Sequence, residues 1–388
     1  MSKFGDFLGS INNSFQIGIG SSASSLRQIL FRNGFNSSLN WTPTAARNIK
    51  LPDRSGSIIL DDDSNFRNRI IGGNFDTNPF QRGLTVTTTA STYLADRWIA
   101  TTTVARSMRT SRVLDAPAFF QSGMFTEYCL EYAYLGSPAT IQSGDATGLR
   151  HCIEGFYAKY LMQKPFIVSF WVKSSKTGIY AISARNGATA TDRSCVIEYT
   201  ISIANKWEYK NIVFPSSPSL GDWNYTNGSG LFLTWQLATG STFITSTLNS
   251  WITGNFVASP NCVNWLDTTN AYFRIALVQC EAGSEATIFE ERSAIKEFSI
   301  CQRYYHEMHL SQRFAATASG QFSSSTIIFP VAMRSTPTAI LLNAPQRVNL
   351  SAVNIGATNS QYGRYEIQAN ASGDAYALFD RFSFNAEI

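Results

Sequence analysis

Charged side chains are scarce in this sequence. Asp, Glu, Lys and Arg together make up 15% of the 388 residues, whereas an ordinary globular protein has about 25%. The solvent-facing surface must therefore consist mostly of Ser, Thr, Asn and Gln. Because 13% of the residues are aromatic, the composition favours half-buried β-strands over exposed helices. We expect an all-β protein.

Long apolar runs are missing as well. No segment approaches the ~18 consecutive apolar residues of a membrane-spanning helix, and residues 1–20 lack the apolar core of a signal peptide. We therefore expect no membrane insertion, and folding in a cytoplasm. None of the six cysteines lies in a C-x-x-C pair. In a reducing compartment they should act as small buried apolar side chains without disulfides.

Signatures of catalysis, metal binding and nucleic-acid binding are also lacking. The net charge of +4 is spread along the chain, and its densest basic stretch, at residues 97–112, is weaker than a nucleic-acid-binding stripe. His306 and His309 lack the spacing of a helix-borne metal pair, and the acidic run 61–63 lacks a calcium-loop glycine. With no nucleophile elbow or P-loop, the sequence predicts no catalytic residue, metal site or cofactor.

Short alternating runs from residue 70 onward predict many β-strands. Three apolar sets each occupy one face of such a strand: Val168, Phe170 and Val172; Leu231, Leu233, Trp235 and Leu237; and Phe273, Ile275 and Leu277. In the first strand, Trp171 and Lys173 fall on the opposite face. Short strands separated by turn residues predict an antiparallel jelly-roll β-sandwich.

One helix candidate runs from about Ser293 to His309. Ser293 can cap its start, and four residues recur at helical spacing: Ala294, Phe298, Cys301 and Tyr305. After it, strand-like alternation returns at residues 365–369 and 382–386. The last part of the chain is therefore predicted to be a small strand-rich module that a single helix precedes.

These patterns divide the chain into three parts. We predict an N-terminal segment at residues 1–69, the jelly roll at residues 70–291, and the C-terminal helix and β module at residues 292–388; the family resemblance described next implies that the first of these is an attachment and shaft segment. The first forty or so residues are rich in Ser, Asn and Gly and cannot build a large core alone. We expect this segment to gain stability from other chains or from a larger assembly.

Several segments, in a fixed order, resemble bacteriophage tail-fibre proteins. Residues 49–58 (IKLPDRSGSI) resemble the turn that precedes many fibre heads, and residues 69–83 resemble the entry to a carbohydrate-binding-module-like jelly roll. Residues 301–305 (CQRYY) match the segment that opens the terminal module of that family. Further similar segments lie at residues 93–98, 150–155, 168–173, 207–210, 276–290 and 329–338.

The resemblance implies a homotrimer in the virion tail, assembled in the cytoplasm of a bacterial host. Its N-terminus would attach to tail or baseplate proteins, and its distal tip would bind a host receptor, either a glycan or an outer-membrane component. Catalysis is not implied. Two alternatives stay open: a tail-associated glycan depolymerase, and a head spike or decoration protein. The sequence has no fixed-period repeat, which counts against a β-helical depolymerase.

Aromatic residues in predicted loops are the candidate receptor-binding residues. Trp223 and Tyr225 lie in the loop-like run 221–230, and Tyr362 lies between two strand candidates. Tyr and Trp offer a flat apolar surface and a hydrogen-bond donor at a small entropic cost, and loops on a rigid scaffold often carry binding. The alternative is that these rings pad the edge of the core or a subunit interface.

Overall fold

The computed structural model describes residues 66–77, 86–88, 91–103, 107–136, 140–187 and 192–388, and the backbone of two strands nearer the N-terminus. The chain divides into two compact units, Met1–Ser55 and Gly56–Ile388. Within the first unit, β1 (Gln28–Asn33) pairs antiparallel with β2 (Phe35–Asn40). The predicted turn at 49–58 and the acidic run at 61–63 lie outside the described residues.

Thirteen described strands of the second unit form two antiparallel sheets. They are β3 (Val86–Thr88), β4 (Thr92–Ala95), β5 (Trp98–Thr102), β6 (Ser107–Val113), β7 (Cys129–Gly136), β8 (Ala146–Glu154), β9 (Phe166–Ser174), β10 (Gly178–Arg185), β11 (Arg193–Ile201), β12 (Glu208–Phe214), β13 (Ser229–Thr239), β14 (Ile252–Thr253) and β15 (Tyr272–Ala282). The seven-stranded sheet has the order β14-β11-β10-β13-β8-β5-β4, and the six-stranded sheet has the order β12-β9-β15-β7-β6-β3. The predicted antiparallel sandwich is confirmed.

The alternating apolar residues make one core between the two sheets. Val168, Phe170 and Val172 of β9 are fully buried there, as is Trp235 of β13. The rings of Phe170 and Trp235 meet edge to face, with centroids 5.6 Å apart. Each such side chain contributes about 1.5–3 kcal/mol through its burial. Of the six cysteines, only Cys262 is not fully buried, and all six are free thiols, as predicted.

The strand β15 departs from the predicted alternation at Leu277. Phe273 and Ile275 face the core, but the register of β15 with β9 shifts between Ala276 and Gln279. Leu277 has a φ of 49°, and the following core positions belong to Val278 and Cys280. The prediction that Leu277 shares a face with Phe273 is therefore wrong, because a β-bulge inserts one extra residue and exchanges the two faces.

The C-terminal part of the unit consists mostly of β-strands. Its strands are β16 (Tyr305–Ala316), β17 (Phe322–Ile328), β18 (Thr338–Asn343), β19 (Gln346–Val348), β20 (Leu350–Ala357), β21 (Tyr362–Ala369) and β22 (Gly373–Asn385). One sheet has the order β16-β22-β18, with β19 also paired to β22, and another has the order β17-β21-β20. No described strand pairs across residue 292, and the three-part division of the chain remains a prediction.

The elements of this C-terminal part number eight among the described residues: the seven strands just named and one helix, Ala294–Gln302. The predicted strand alternation is confirmed at both sites. Tyr365 and Ile367 of β21, with Phe382 and Phe384 of β22, are buried in a second, smaller core. Two sheets that share this core make the module strand-rich, as the sequence indicates.

The helix is shorter than predicted. Ser293 caps it by accepting a hydrogen bond from the Lys296 backbone N–H, but it ends at Gln302 instead of His309. From Tyr305 onward the chain pairs with β22, because long-range strand pairing overrides local helical spacing. Its buried side also differs from the predicted one. Of the four residues at helical spacing, only Cys301 is fully buried, and the other buried helical residues are Glu297 and Gln302.

The remaining helical segments of the described residues are short. They are the helices Phe119–Ser122 and Gly155–Ala158 and the 3-10 turns Ser241–Phe243 and Trp265–Asp267. None of the described helices is long and apolar enough to cross a membrane.

Buried charges join the C-terminal module to the end of β8. Glu154 accepts hydrogen bonds from the Arg303 guanidinium at 3.0 and 2.6 Å and from the Tyr304 hydroxyl at 2.5 Å. Arg97 pairs with Glu387, and its guanidinium lies 3.7 Å from the centroid of the Tyr304 ring. We call these five residues the clasp. Its two arginines and two glutamates balance one another, as buried charges require.

Replacing Glu154 by Gln should destabilise the protein strongly. The amide keeps the side-chain shape but leaves Arg303 without its carboxylate, and breaking a buried pair in this way costs about 3–5 kcal/mol of unfolding free energy. Urea denaturation followed by tryptophan fluorescence measures the loss. Asp374→Asn is the matched control, because it breaks the exposed Arg313–Asp374 pair and should change stability little. Equal losses in the two variants would contradict the role of the clasp.

Candidate functional site

Of the residues predicted from the sequence, Trp223 is partly buried. It packs against the main core, and its ring meets that of Trp251 edge to face at 5.5 Å. Its indole N–H donates to the backbone oxygen of Leu220 at 3.2 Å. Trp223 therefore anchors its loop, while Tyr225, which is 41% exposed, faces solvent.

The loop that carries Tyr225 is held at both ends. The Asn224 side-chain oxygen accepts from the backbone N–H groups of Thr226 and Gly228, at 2.9 and 3.1 Å. Asn227 exchanges two hydrogen bonds with Arg334 of the C-terminal module, at 2.9 and 2.7 Å. These bonds place the loop at the border with that module and present the Tyr225 ring on a fixed backbone.

Tyr362 begins β21 and is 42% exposed. Its backbone N–H donates to the Asn359 side chain at 3.0 Å, which holds the turn before the strand. Among the described residues, no ring contact joins Tyr362 to Trp223 or Tyr225. The three predicted residues therefore do not form one surface: Tyr225 and Tyr362 are exposed at separate places, and Trp223 supports the Tyr225 loop. Their role in binding stays a prediction.

A different aromatic surface lies on the outer face of the six-stranded sheet. Trp171 of β9 is directly opposite Tyr209 of β12 in the strand ladder, and their ring centroids are 5.4 Å apart. Trp207, two residues before Tyr209, lies beside them, with its ring 5.9 Å from the Lys173 ammonium. Tyr209 is 43% exposed, and both tryptophans are half-buried. We call Trp171, Trp207 and Tyr209 the aromatic platform.

Sequence reasoning missed this platform although one signal was present. Because Val168, Phe170 and Val172 of β9 face the core, Trp171 must face outward. A large aromatic side chain on the outer face of a strand indicates a binding surface or a contact with another element. The two-residue spacing of Trp207 and Tyr209 predicts that both lie on one face of the strand-like run at residues 207–210. What the sequence could not supply is the pairing of β9 with β12, which brings these rings together.

Charged residues border the platform and form ion pairs with one another. The Lys173 ammonium lies 2.8 Å from an Asp115 carboxylate oxygen. Arg274 pairs with Asp115 and donates from its Nε to Glu131 at 2.8 Å, and Arg109 also pairs with Glu131 at 2.9 Å. Burial by itself lowers the pKa of Arg274. Its hydrogen bond to Glu131 and the charges of Glu131 and Asp115 have the larger effect, so the pKa lies above its ordinary value. The result is a fixed polar border whose charges are already satisfied.

The Tyr209 hydroxyl remains a hydrogen-bond donor at neutral pH. Burial raises the pKa of Tyr209 above its ordinary value, and a hydrogen bond with Ser169 opposes this only in part. Asn211 and Val213, on the same face of β12, are exposed beside it. The platform therefore offers flat apolar rings next to neutral donors and acceptors.

Comparisons with known proteins give low similarity. No protein-family model and no curated protein matches the chain. The enzymatically active domain of tailspike protein 4 from bacteriophage CBA120 is similar over 56% of this chain, at 13% identity and a TM-score of 0.30, and this chain covers 22% of it. TmCBM61, solved with β-1,4-galactotriose, is similar over 56% of this chain and 99% of its own length, at 13% identity and a TM-score of 0.25.

The family 11 carbohydrate-binding module of a Clostridium thermocellum cellulase is similar over 51% of this chain and 97% of its own length, at 13% identity and a TM-score of 0.28. Similarities with TM-scores this low give no information about function.

Proposed function

We propose that this protein is a bacteriophage tail fibre that binds a host-surface glycan through the aromatic platform. The single observation that carries glycan binding is the Trp171–Tyr209 pair, held on adjacent strands of a rigid sheet. Sugar rings present flat C–H faces and hydroxyl groups, and this surface offers aromatic rings with donors and acceptors beside them. The order of sequence motifs supports assignment to a tail fibre.

The remaining parts of the chain have structural roles in this proposal. Residues 1–69 attach the fibre to tail or baseplate proteins, and residues 292–388 form its distal tip. Tyr225 and Tyr362, both exposed, serve as additional receptor contacts, with Trp223 supporting the Tyr225 loop. The virion tail is accordingly the proposed location of the mature protein.

The homotrimer is part of the same proposal, and the exposed apolar residues of β18 support it. Ile340, Leu341 and Leu342 are 51%, 40% and 43% exposed. The strand β18 lies at the edge of its sheet, and a long apolar edge strand is an aggregation hazard unless something covers it. Sister chains would cover it, and three copies of a weak glycan site would raise the effective affinity.

Replacing Trp171 or Tyr209 by Ala should weaken binding to host polysaccharide roughly two- to tenfold per ring, because a stacked aromatic ring contributes about 0.5–1.5 kcal/mol. Isothermal titration with purified host polysaccharide measures the change. Val213→Ala is the matched control, since it removes exposed apolar surface from the same face of β12 without removing a ring. Tyr209→Phe separates stacking from the hydroxyl contribution.

Full binding by the Trp171 and Tyr209 variants would remove the platform from the binding site. Loss of binding in Tyr225→Ala or Tyr362→Ala instead would assign it to the residues predicted from the sequence. Release of reducing ends from the polysaccharide would favour the depolymerase alternative.

Light scattering should give the mass of three 42.9 kDa chains. Replacing Ile340 and Leu342 together by Glu should shift that mass toward one chain, because six buried carboxylates at the interface would each cost several kcal/mol. Leu220→Glu, at a residue 72% exposed outside the C-terminal module, is the control and should leave the mass unchanged. A monomeric wild-type protein would rule out the trimer.

A further inference from the structure

Arg150 lies on the outer face of the seven-stranded sheet, away from the platform. In the strand ladder it is opposite Ile99 of β5 and Thr234 of β13. Its neighbours Leu149 and Ile153 point into the main core, so the alternation of β8 sends the Arg150 side chain outward. The residue is half-buried, which leaves part of it within reach of a ligand.

No carboxylate in the described part of the chain pairs with Arg150. None of the ion pairs among the described residues includes it, and its Nε is buried without a hydrogen-bond partner. Two more deeply buried arginines differ in this respect, since Arg97 pairs with Glu387 and Arg292 with Glu297. The half-buried guanidinium of Arg150 is only partly hydrated, and a bound anion would supply the missing partner.

The surroundings of Arg150 combine positive charge with an aromatic ring. Its guanidinium lies 4.8 Å from the centroid of the Phe232 ring, and that of Arg185 lies 5.1 Å from the same centroid. Asp192 neutralises Arg185 at 2.7 Å, so one positive charge remains. On β10, opposite Thr234, the Ser183 hydroxyl oxygen is also buried without a partner.

The electrostatics of Arg150 agree with this description. Burial lowers its pKa, Arg185 lowers it further, and the groups that oppose the lowering are Cys152 and Tyr93 rather than a carboxylate. The guanidinium nevertheless stays protonated at neutral pH.

We propose that Arg150 and Phe232 form a second glycan subsite that selects acidic sugars. Arg150 would pair with a carboxylate or phosphate on the sugar, and Phe232 would contact the sugar ring. A guanidinium forms paired hydrogen bonds with both kinds of anion. The inference rests on the glycan-binding function proposed above and adds the charge class of the ligand. The platform, whose bordering charges are already paired, would accept neutral sugars.

Titration calorimetry of the full chain with three probes tests this subsite. Trigalacturonate carries carboxylates, mannose 6-phosphate carries a phosphate, and galactotriose is the neutral reference. We expect at least one acidic probe to bind, more weakly at high salt, and Arg150→Gln to lose about tenfold or more in affinity for it. Whichever acidic probe binds identifies the natural anion as carboxylate or phosphate.

Two control variants separate the possible outcomes. Arg313→Gln removes an exposed arginine of the C-terminal module and should leave acidic-sugar affinity unchanged. Trp171→Ala should also retain it, so failure of the platform and failure of this subsite are distinguishable. Arg150→Lys keeps the charge in case the Gln variant folds poorly, and should lose part of the affinity because it cannot form the paired hydrogen bonds.

Failure of the wild-type protein to bind either acidic probe would overturn the assignment. So would equal affinities of the wild-type, Arg150→Gln and Arg150→Lys proteins for an acidic probe that does bind.

Discussion

The pleat of paired β-strands sends successive side chains to opposite faces of each sheet, and both candidate sites depend on this alternation. Val168, Phe170 and Val172 must face inward to fill the core, which obliges Trp171 to face outward. The same constraint on β8 sends Arg150 out of the opposite sheet. Since strand pairing sets the spacing of neighbouring side chains, a well-packed core also fixes the positions of these exposed groups.

The outer faces of the two sheets differ in whether their charged side chains are paired. Around the platform, Lys173, Arg274 and Arg109 are paired with Asp115 and Glu131, so the rings are the feature available to a ligand. On the other face, Arg150 pairs with no carboxylate of the residues that the structure describes. This difference follows from which residues the strand ladders place side by side, and it supports neutral and acidic sugars as the respective ligands.

Although charged residues are scarce, several of them hold the C-terminal module against the jelly roll. Several of the few charged side chains are buried in the clasp, where Glu154 joins β8 to the segment Arg303–Tyr304. The CQRYY run thus has a physical role in this chain: two of its residues bind a buried carboxylate of the jelly roll. The outer surface of the C-terminal module is left apolar at β18, consistent with the proposed cover by sister chains.

The sequence alone determined the fold class and the inward faces of β9, β13, β21 and β22, because these depend on local alternation and turn chemistry. It left open whether Tyr225 and Tyr362 are exposed, which the structure shows them to be. Tertiary structure decided the rest. The bulge at Leu277 and the early end of the helix at Gln302 arise from pairing with distant strands. The Trp171–Tyr209 platform and the missing partner of Arg150 exist only once β-strands remote in sequence lie side by side, which no local pattern specifies.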